Sequence, residues 1–400
     1  MRDVLHRGSR ILVTGGAGFI GAVLVRRLVA EGFIVRVLDD LSRGRRERLA
    51  GLDVELMVGD VRSERVARDA VAGAEAVIHL AWRPVEGPRE ERHAHDANVT
   101  GTLSLLTAAR DAGVRRFLFA SSASVYGGRA GHLLHEETAP QPQDSDGAHK
   151  VAAETYVRLF GLRDGLPVSI LRLFSIYGND REEGMVACFT YAALAGDPVV
   201  IEGDGTQTRD LLHVEDAATA FVAALLSPAA VGRTFNIASG EAVAVRYVAG
   251  VISELAGGLP APRYVAARLR SPHDLRASVA AATSTLSWRA KIRLREGLGA
   301  CLGLCEPPAP PQLPTMRAAT PPPLPPTARR QTSSGMRAFP DGSDTRLTPA
   351  SGVAAIPPQP PPPPKPQGLF GDRPPSWAIT DEADTSIGTI ADESSRNWAR

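Results

Sequence analysis

The sequence predicts an α/β protein built on a doubly wound parallel sheet, with a smaller discontinuous lobe drawn from later segments and a disordered, proline-rich C-terminal tail. Three observations carry that expectation. The stretch Ile11 to Gly21, ILVTGGAGFIG, is an apolar run suited to a buried parallel strand, followed by Gly15, Gly18 and Gly21 where strand turns into helix. Short apolar runs and helical segments then alternate to about residue 174, at a spacing that implies right-handed parallel crossovers. From Glu306 to Pro375 the composition changes, with 22 of the 32 prolines and few large apolar residues between them.

The glycine turn reads as a dinucleotide site. Gly15 permits the tight turn, and Gly18, lacking a Cβ, lets a pyrophosphate approach the backbone at the helix N-terminus, where free amides and the dipole favour an anion. Phe19 and Ile20 open that helix and join the candidate cofactor-binding residues; Gly21 lets it pack close on the strand. The helix Ile20 to Glu31 ends at Gly32, and the next apolar run, Ile34 to Leu38, ends in Asp39. A carboxylate at that offset is placed to accept hydrogen bonds from the adenosine ribose diol. Asp39 therefore favours NAD over NADP, whose 2′-phosphate would face it, while Arg43 nearby keeps NADP as the alternative.

The remaining elements follow in order. The run Val54 to Val58 ends in Gly59-Asp60-Val61, where Asp60 can meet the adenine amino group, and Ser63 can cap the following helix. Ala76 to Leu80 leads to Ala81, a small residue past which a cofactor can lie, with Leu80 beside it. A helix from Asp96 to Asp111 carries Asn98 near its start, and the strand Arg116 to Ala120 delivers SSASVYG, residues 121 to 127. A helix of roughly 147 to 163 contains Lys150 and precedes the strand Val168 to Phe174. Ligands of such sheets sit at the carboxyl ends of the strands, where Asp39, Asp60, Ala81 and Ser122 all fall.

Bulk properties exclude several function classes. A net charge of +1 without a long basic run gives no electrostatic case for nucleic acid. Arg43, Arg45, Arg46 and Arg48 form the densest cluster and are expected to edge the adenosine site or face solvent. Cys188, Cys301 and Cys305 make no disulfide framework, and no histidine partner completes a metal site around them. The first ten residues lack an apolar signal core and no run of about eighteen apolar residues occurs, so a cytoplasmic protein without membrane contact is expected. The proline-rich tail cannot bury enough surface to offset its chain entropy; with polyproline II character it is expected to be a solvated tail first, and otherwise a linker or a ligand for a proline-recognising module.

TGGAGFIG, the acid at Asp39, GDV at 59 to 61, HLA at 79 to 81, NVTGTLSLL from Asn98, SSASVYG and GDGTQTRDLLHVEDAA from Gly203 occur in one order. With them the chain resembles the extended short-chain dehydrogenase/reductase superfamily, and within it the NAD-dependent nucleotide-sugar epimerases and dehydratases, the UDP-galactose 4-epimerases giving the nearest pattern. The resemblance covers about residues 10 to 302. It implies a Rossmann core over about 10 to 174, a substrate lobe mostly over 175 to 302, a UDP- or dTDP-linked sugar as substrate, and a homodimer.

The chemistry implied is reversible hydride transfer between a sugar hydroxyl carbon and nicotinamide. In the family a tyrosine four residues before a lysine takes the hydroxyl proton, the lysine binds the nicotinamide ribose and lowers the phenol pKa, and a Ser or Thr bonds the substrate oxygen. Here Lys150 matches the lysine and Ser122 the serine, with Ser121 and Ser124 as alternatives, but Asp146 stands where the tyrosine belongs. A carboxylate of pKa about 3.9 beside two cationic groups is a feeble base, and it is shorter than a phenol by several ångströms. His149, oriented by Asp146, or Tyr126 are the candidate substitutes. Lys150 is one of only three lysines, with Lys291 and Lys365, among 45 basic residues, so its place is not incidental. Ala123 and Ser124 replace the Asp-Glu pair of 4,6-dehydratases, which argues against sugar dehydration.

The resemblance also assigns a substrate half. Arg209 matches the arginine that pairs with a nucleotide pyrophosphate, Ser175 replaces the asparagine of RxFNxYG, and Arg270, or else Arg268, would be the second phosphate ligand. His213 is expected to be structural.

Overall fold

A computed structural model describes residues 5–128, 132–181, 183–266 and 275–305. The proline-rich tail, Arg268 and Arg270 lie outside the described residues. Along the chain run β1 (Arg10–Thr14), α1 (Phe19–Ala30), β2 (Ile34–Asp39), β3 (Val54–Val58), α2 (Glu64–Val71), β4 (Ala76–His79), α3 (Glu91–His95), α4 (Gly101–Asp111), β5 (Arg116–Ser122), β6 (Leu133–Leu134), α5 (Ser145–Asp164) and β7 (Val168–Leu173). Then come β8 (Ser175–Tyr177), α6 (Met185–Ala195), β9 (Val200–Glu202), β10 (Thr208–His213), α7 (Val214–Leu226), β11 (Thr234–Ile237), β12 (Ala242–Ala244), α8 (Val245–Leu255), β13 (Arg263–Val265), β14 (Arg276–Ala277), α9 (Ala280–Leu286) and α10 (Leu294–Cys301).

Seven strands form one parallel sheet in the order β11-β7-β5-β4-β1-β2-β3. The chain winds outward from β1 to β3, then returns and winds the other way from β4, so the switch point lies between β1 and β4. Period-two alternation feeds the two faces: Ile11 and Val13 pack on the side of α1 and α7, Leu12 on the side of α2, α4 and α5, all three fully buried. Burial on both faces explains why β1 reads as a continuous apolar run rather than an alternating one. The sheet extends past residue 174, taking its last strand from Thr234–Ile237.

The second lobe has its own core. A three-stranded sheet, β12-β10-β8, packs with α6, α8 and α10 through Tyr177, Phe189, Leu211, Val248, Ile252 and Leu298. Local chemistry sets the helix ends nearest the cleft. Ser63 caps α2, accepting the Val66 amide at 3.4 Å, as the sequence predicts. Asp144 caps α5, accepting the Gly147 amide at 2.7 Å, and Gly165 ends that helix in the left-handed region at φ +69°.

One element differs from expectation. The helix predicted to begin at Asp96 begins at Glu91, and Asp96–Thr100 form a π-helical turn between α3 and α4. Asn98 sits in that turn with its side chain turned to the β4 end: Oδ1 accepts the Arg83 amide at 2.7 Å and Nδ2 donates to the Arg83 carbonyl at 2.8 Å. The Thr102 hydroxyl donates to the Asn98 carbonyl at 2.5 Å, a side-chain bond that holds the widened turn.

Candidate functional site

The C-terminal edge of the sheet opens into two cavities. One of about 130 Å³ is lined by Asp39, Asp60, Val61, Leu80 and Ala81; the other, of about 920 Å³, by Phe19, Ile20, Gly21, Ser122, Asp146, Lys150 and Ser175. Gly15, Gly18, Ser42, Arg43, Gly44, Leu80 and Trp82 line both. The structure thus gathers the predicted cofactor residues other than Asn98 at the switch point, where an open α/β sheet binds its ligand.

The glycine turn is shaped for close approach. Gly15 has φ +69°, and a Cβ there would lie 2.7 Å from the Ala81 amide nitrogen; at Gly21 it would lie 2.1 Å from the Gly15 carbonyl oxygen. No acidic residue occupies the first turn of α1, so its amide end is left to an anion. Asp39 is anchored by the Ala17 amide on Oδ2 at 3.0 Å and the Leu41 amide on Oδ1 at 2.9 Å; burial raises its pKa against those bonds. Its carboxylate therefore fixes the turn as well as the edge of the adenosine-side cavity. Asp60 pairs with Arg62, whose Nε donates at 2.8 Å. These residues fit the adenosine and pyrophosphate portion of a dinucleotide.

Lys150 is the buried cation of the larger cavity. It lies one helical turn after Asp146 on α5, and Nζ donates to the Ala120 carbonyl at 2.6 Å. Burial pushes its pKa down to about 7, against the pull of Asp146 and Glu154. The ammonium also sits 3.4 Å from the centroid of the Trp82 ring. Asp146 faces the same indole: Oδ1 accepts the Trp82 Nε1–H at 3.2 Å, and Oδ2 lies 3.5 Å from the Val85 amide. Ser122 ends β5, its Oγ accepting the Ser124 amide at 3.1 Å.

Neither candidate substitute for the phenol meets the cleft. Tyr126 is fully buried, its hydroxyl donating to Asn236 Oδ1 at 2.6 Å and accepting Arg172 Nη1 at 2.9 Å, and burial raises its pKa. His149 Nδ1 lies 3.4 Å from Asn98 Nδ2 and its ring stacks edgewise on His95, with burial lowering its pKa. Ser121 lines the larger cavity, but its hydroxyl is engaged elsewhere, donating to Glu154 Oε1 at 2.6 Å.

Other predicted residues fall outside the cleft wall. Asn98 reaches it through Arg83 and lines neither cavity. Arg209 lies on β10 with Nη1 donating to the Thr208 carbonyl at 2.9 Å, and is not among the cavity-lining residues. His213 caps α7, accepting the Glu215 amide at 3.3 Å, a structural role as expected. Arg43, Arg45 and Arg48 do edge the cleft. Sequence reasoning missed Trp82, whose signal was a large aromatic directly after the small Ala81, and Arg181, a half-buried arginine 5.4 Å from the Phe19 ring centroid.

Comparison with known proteins follows the same lines. Residues 11–238 match the family model for the NAD dependent epimerase/dehydratase family. The UDP-glucose 4-epimerase of Mycolicibacterium smegmatis is 36% identical over 304 residues, 72% of this chain and 96% of the relative. The crystal structure of the Thermus thermophilus UDP-glucose 4-epimerase complexed with NAD superposes with a TM-score of 0.67 at 32% identity, covering 74% of this chain and 98% of that one. The dTDP-glucose 4,6-dehydratase of Streptomyces venezuelae, with NAD bound, gives 0.69 at 28% identity over 74% and 96%. The chain thus belongs to the NAD dependent epimerase/dehydratase family, an enzyme family whose cofactor is NAD.

Proposed function

We propose that the protein oxidises and re-reduces a hydroxyl carbon of a UDP- or dTDP-linked sugar by hydride exchange with NAD, as a nucleotide-sugar epimerase or reductase. The observation that carries this reading is the convergence of Ser122 and Lys150 on one large cavity that joins the glycine turn. NAD would supply the hydride acceptor. Ser122 would bond the sugar oxygen, and its proton would leave toward Lys150, whose ammonium gives up its proton near neutrality and so can pass one in either direction. Arg209 and Arg270 would pair with the nucleotide phosphates. The absence of carboxylates at Ala123 and Ser124 favours epimerisation or reduction over dehydration. The same reading includes a cytoplasmic homodimer and a proline-recognising partner for the tail, supported by family resemblance and composition alone.

A second reading is a cofactor-binding relative that has lost turnover, serving as a sensor or scaffold. It is favoured by one specific observation: Asp146 is engaged with Trp82, and both Tyr126 and His149 face other partners. The experiment that separates the two incubates the NAD-loaded protein and its Lys150→Met variant with a panel of UDP- and dTDP-sugars and resolves the products by chromatography. An epimer, or an oxidised sugar formed with an equivalent of reduced nicotinamide, made by the wild type and lost in the variant supports the first reading. Unchanged sugars throughout, with NAD bound, leave the second standing.

A further inference from the structure

Trp82 and Asp146 make a contact that the family chemistry does not use. Trp82 follows Ala81 at the end of β4, and Asp146 lies in the first turn of α5, 64 residues on. The indole N–H donates to Asp146 Oδ1 at 3.2 Å, the indole face covers Lys150 Nζ at 3.4 Å, and the ring tilts against Phe119 at 6.3 Å between centroids. Lys150 is thereby closed in between a π face and the Ala120 carbonyl. Trp82 lines both the adenosine-side pocket and the larger one, as Gly15, Gly18, Leu80 and Arg43 also do, and of these residues it is the one whose ring covers Lys150.

We propose that Trp82, held by Asp146, is the residue that decides how much of a dinucleotide the cleft engages. In the closed arrangement the adenosine diphosphate portion meets the glycine turn and Asp39, while the indole bars the distal ribose from Lys150. Full engagement requires the Asp146–Trp82 hydrogen bond to open and the indole to leave the lysine. Asp146 is then a positioning residue acting through Trp82. The inference rests on the reading that this cleft binds a dinucleotide.

Three physical points support it. The hydrogen bond is charge-assisted, since a carboxylate accepts it, and such bonds are stronger than neutral ones. The cation over the ring is desolvated, which strengthens the attraction. Any ligand group that reaches Lys150 must replace both contacts, so the affinity gained at the distal ribose is offset by what is broken. An adenosine-only ligand breaks neither.

The test is calorimetric titration of the full chain, wild type beside Trp82→Ala, Trp82→Phe and Asp146→Ala, with NAD and with ADP, which lacks the distal ribose. The wild type is expected to bind the two ligands within a few-fold of each other. Trp82→Ala should tighten NAD by about tenfold or more while ADP stays unchanged; Asp146→Ala should shift NAD in the same direction by less. Trp82→Phe keeps an aromatic ring and loses the donor, so it should behave like Asp146→Ala, and it serves where the alanine variant fails to fold. A second readout is indole emission, which should change on adding NAD but not ADP, and lose that change in Trp82→Phe. If the wild type binds NAD far more tightly than ADP and no substitution alters the ratio, the role of Trp82 is refuted while the dinucleotide site stands. If neither ligand binds any of the four proteins, the dinucleotide reading fails and the inference with it.

Discussion

Replacing Lys150 by methionine should abolish a specific pH dependence of stability. The wild-type ammonium is buried and loses its proton at about 7, against 10.5 for an ordinary lysine. Between those values the unfolded chain holds a proton that the folded chain has released, so stability rises with pH across that window and is lowest below it. With about 1.4 kcal/mol per pKa unit, integration from pH 7 to pH 9 yields a gain of about 2 kcal/mol for the wild type. That interval is chosen to avoid other groups. His79 and His213, lowered by burial to about 3 and about 4, complete their contribution once the unfolded imidazoles have deprotonated near neutrality, and the Cys301 thiol, raised by burial to about 11, lowers stability mainly above pH 9, where the unfolded thiol has ionised. Urea denaturation at pH 7 and 9, without dinucleotide, should show the rise in the wild type and a flat response in Lys150→Met. A wild type equally stable at both values, or a methionine variant that keeps the rise, would refute the reasoning.

Glu154→Gln should leave the Arg172 guanidinium without its charge partner; the pair is 4% and 2% exposed, with Nη2 to Oε2 at 2.7 Å. A cost of about 3–5 kcal/mol follows, read as a fall in melting temperature on the order of 10 °C; an unchanged melting temperature would count against it. Gly21→Ala places a Cβ 2.1 Å from the Gly15 carbonyl oxygen, so NAD affinity measured by calorimetry should fall by roughly tenfold or more as the turn shifts. Asp146→Tyr alone should fail to raise sugar turnover, because the indole of Trp82 occupies the space beside position 146; Asp146→Tyr with Trp82→Ala should raise it. Equal turnover in the single and double variants would show that Trp82 does not obstruct a phenol.

The parts of the fold legible in the sequence are those fixed by neighbours along the chain. The glycine turn, Asp39 at the end of β2, the cap at Ser63 and the alternation of strands and helices each depend on a few consecutive residues. Ser122 and Lys150 were legible through a motif, and the structure brings them to one cavity. What the sequence hid depends on contacts between distant segments. Tyr126 sits in a promising loop, yet the buried Arg172–Glu154 pair and Asn236 turn its hydroxyl into the core. Asn98 sits near the start of α4, but a π-helical turn aims it at the Arg83 backbone. The seventh strand of the sheet comes from residues within the span that the family resemblance gave mostly to the substrate lobe. Trp82 gave the weakest signal of all, because its meaning is set by Asp146 and Lys150 more than sixty residues away.

The central claim is that the cleft couples a bound dinucleotide to a sugar hydroxyl through Ser122 and Lys150. Its most direct measurement mixes the NAD-loaded protein with each of several UDP- and dTDP-sugars and follows the absorbance of reduced nicotinamide within a single turnover. The account predicts reduced nicotinamide with at least one nucleotide sugar, a signal lost in Lys150→Met and retained in Asp146→Ala. No reduced nicotinamide with any sugar, while NAD remains bound, would contradict it.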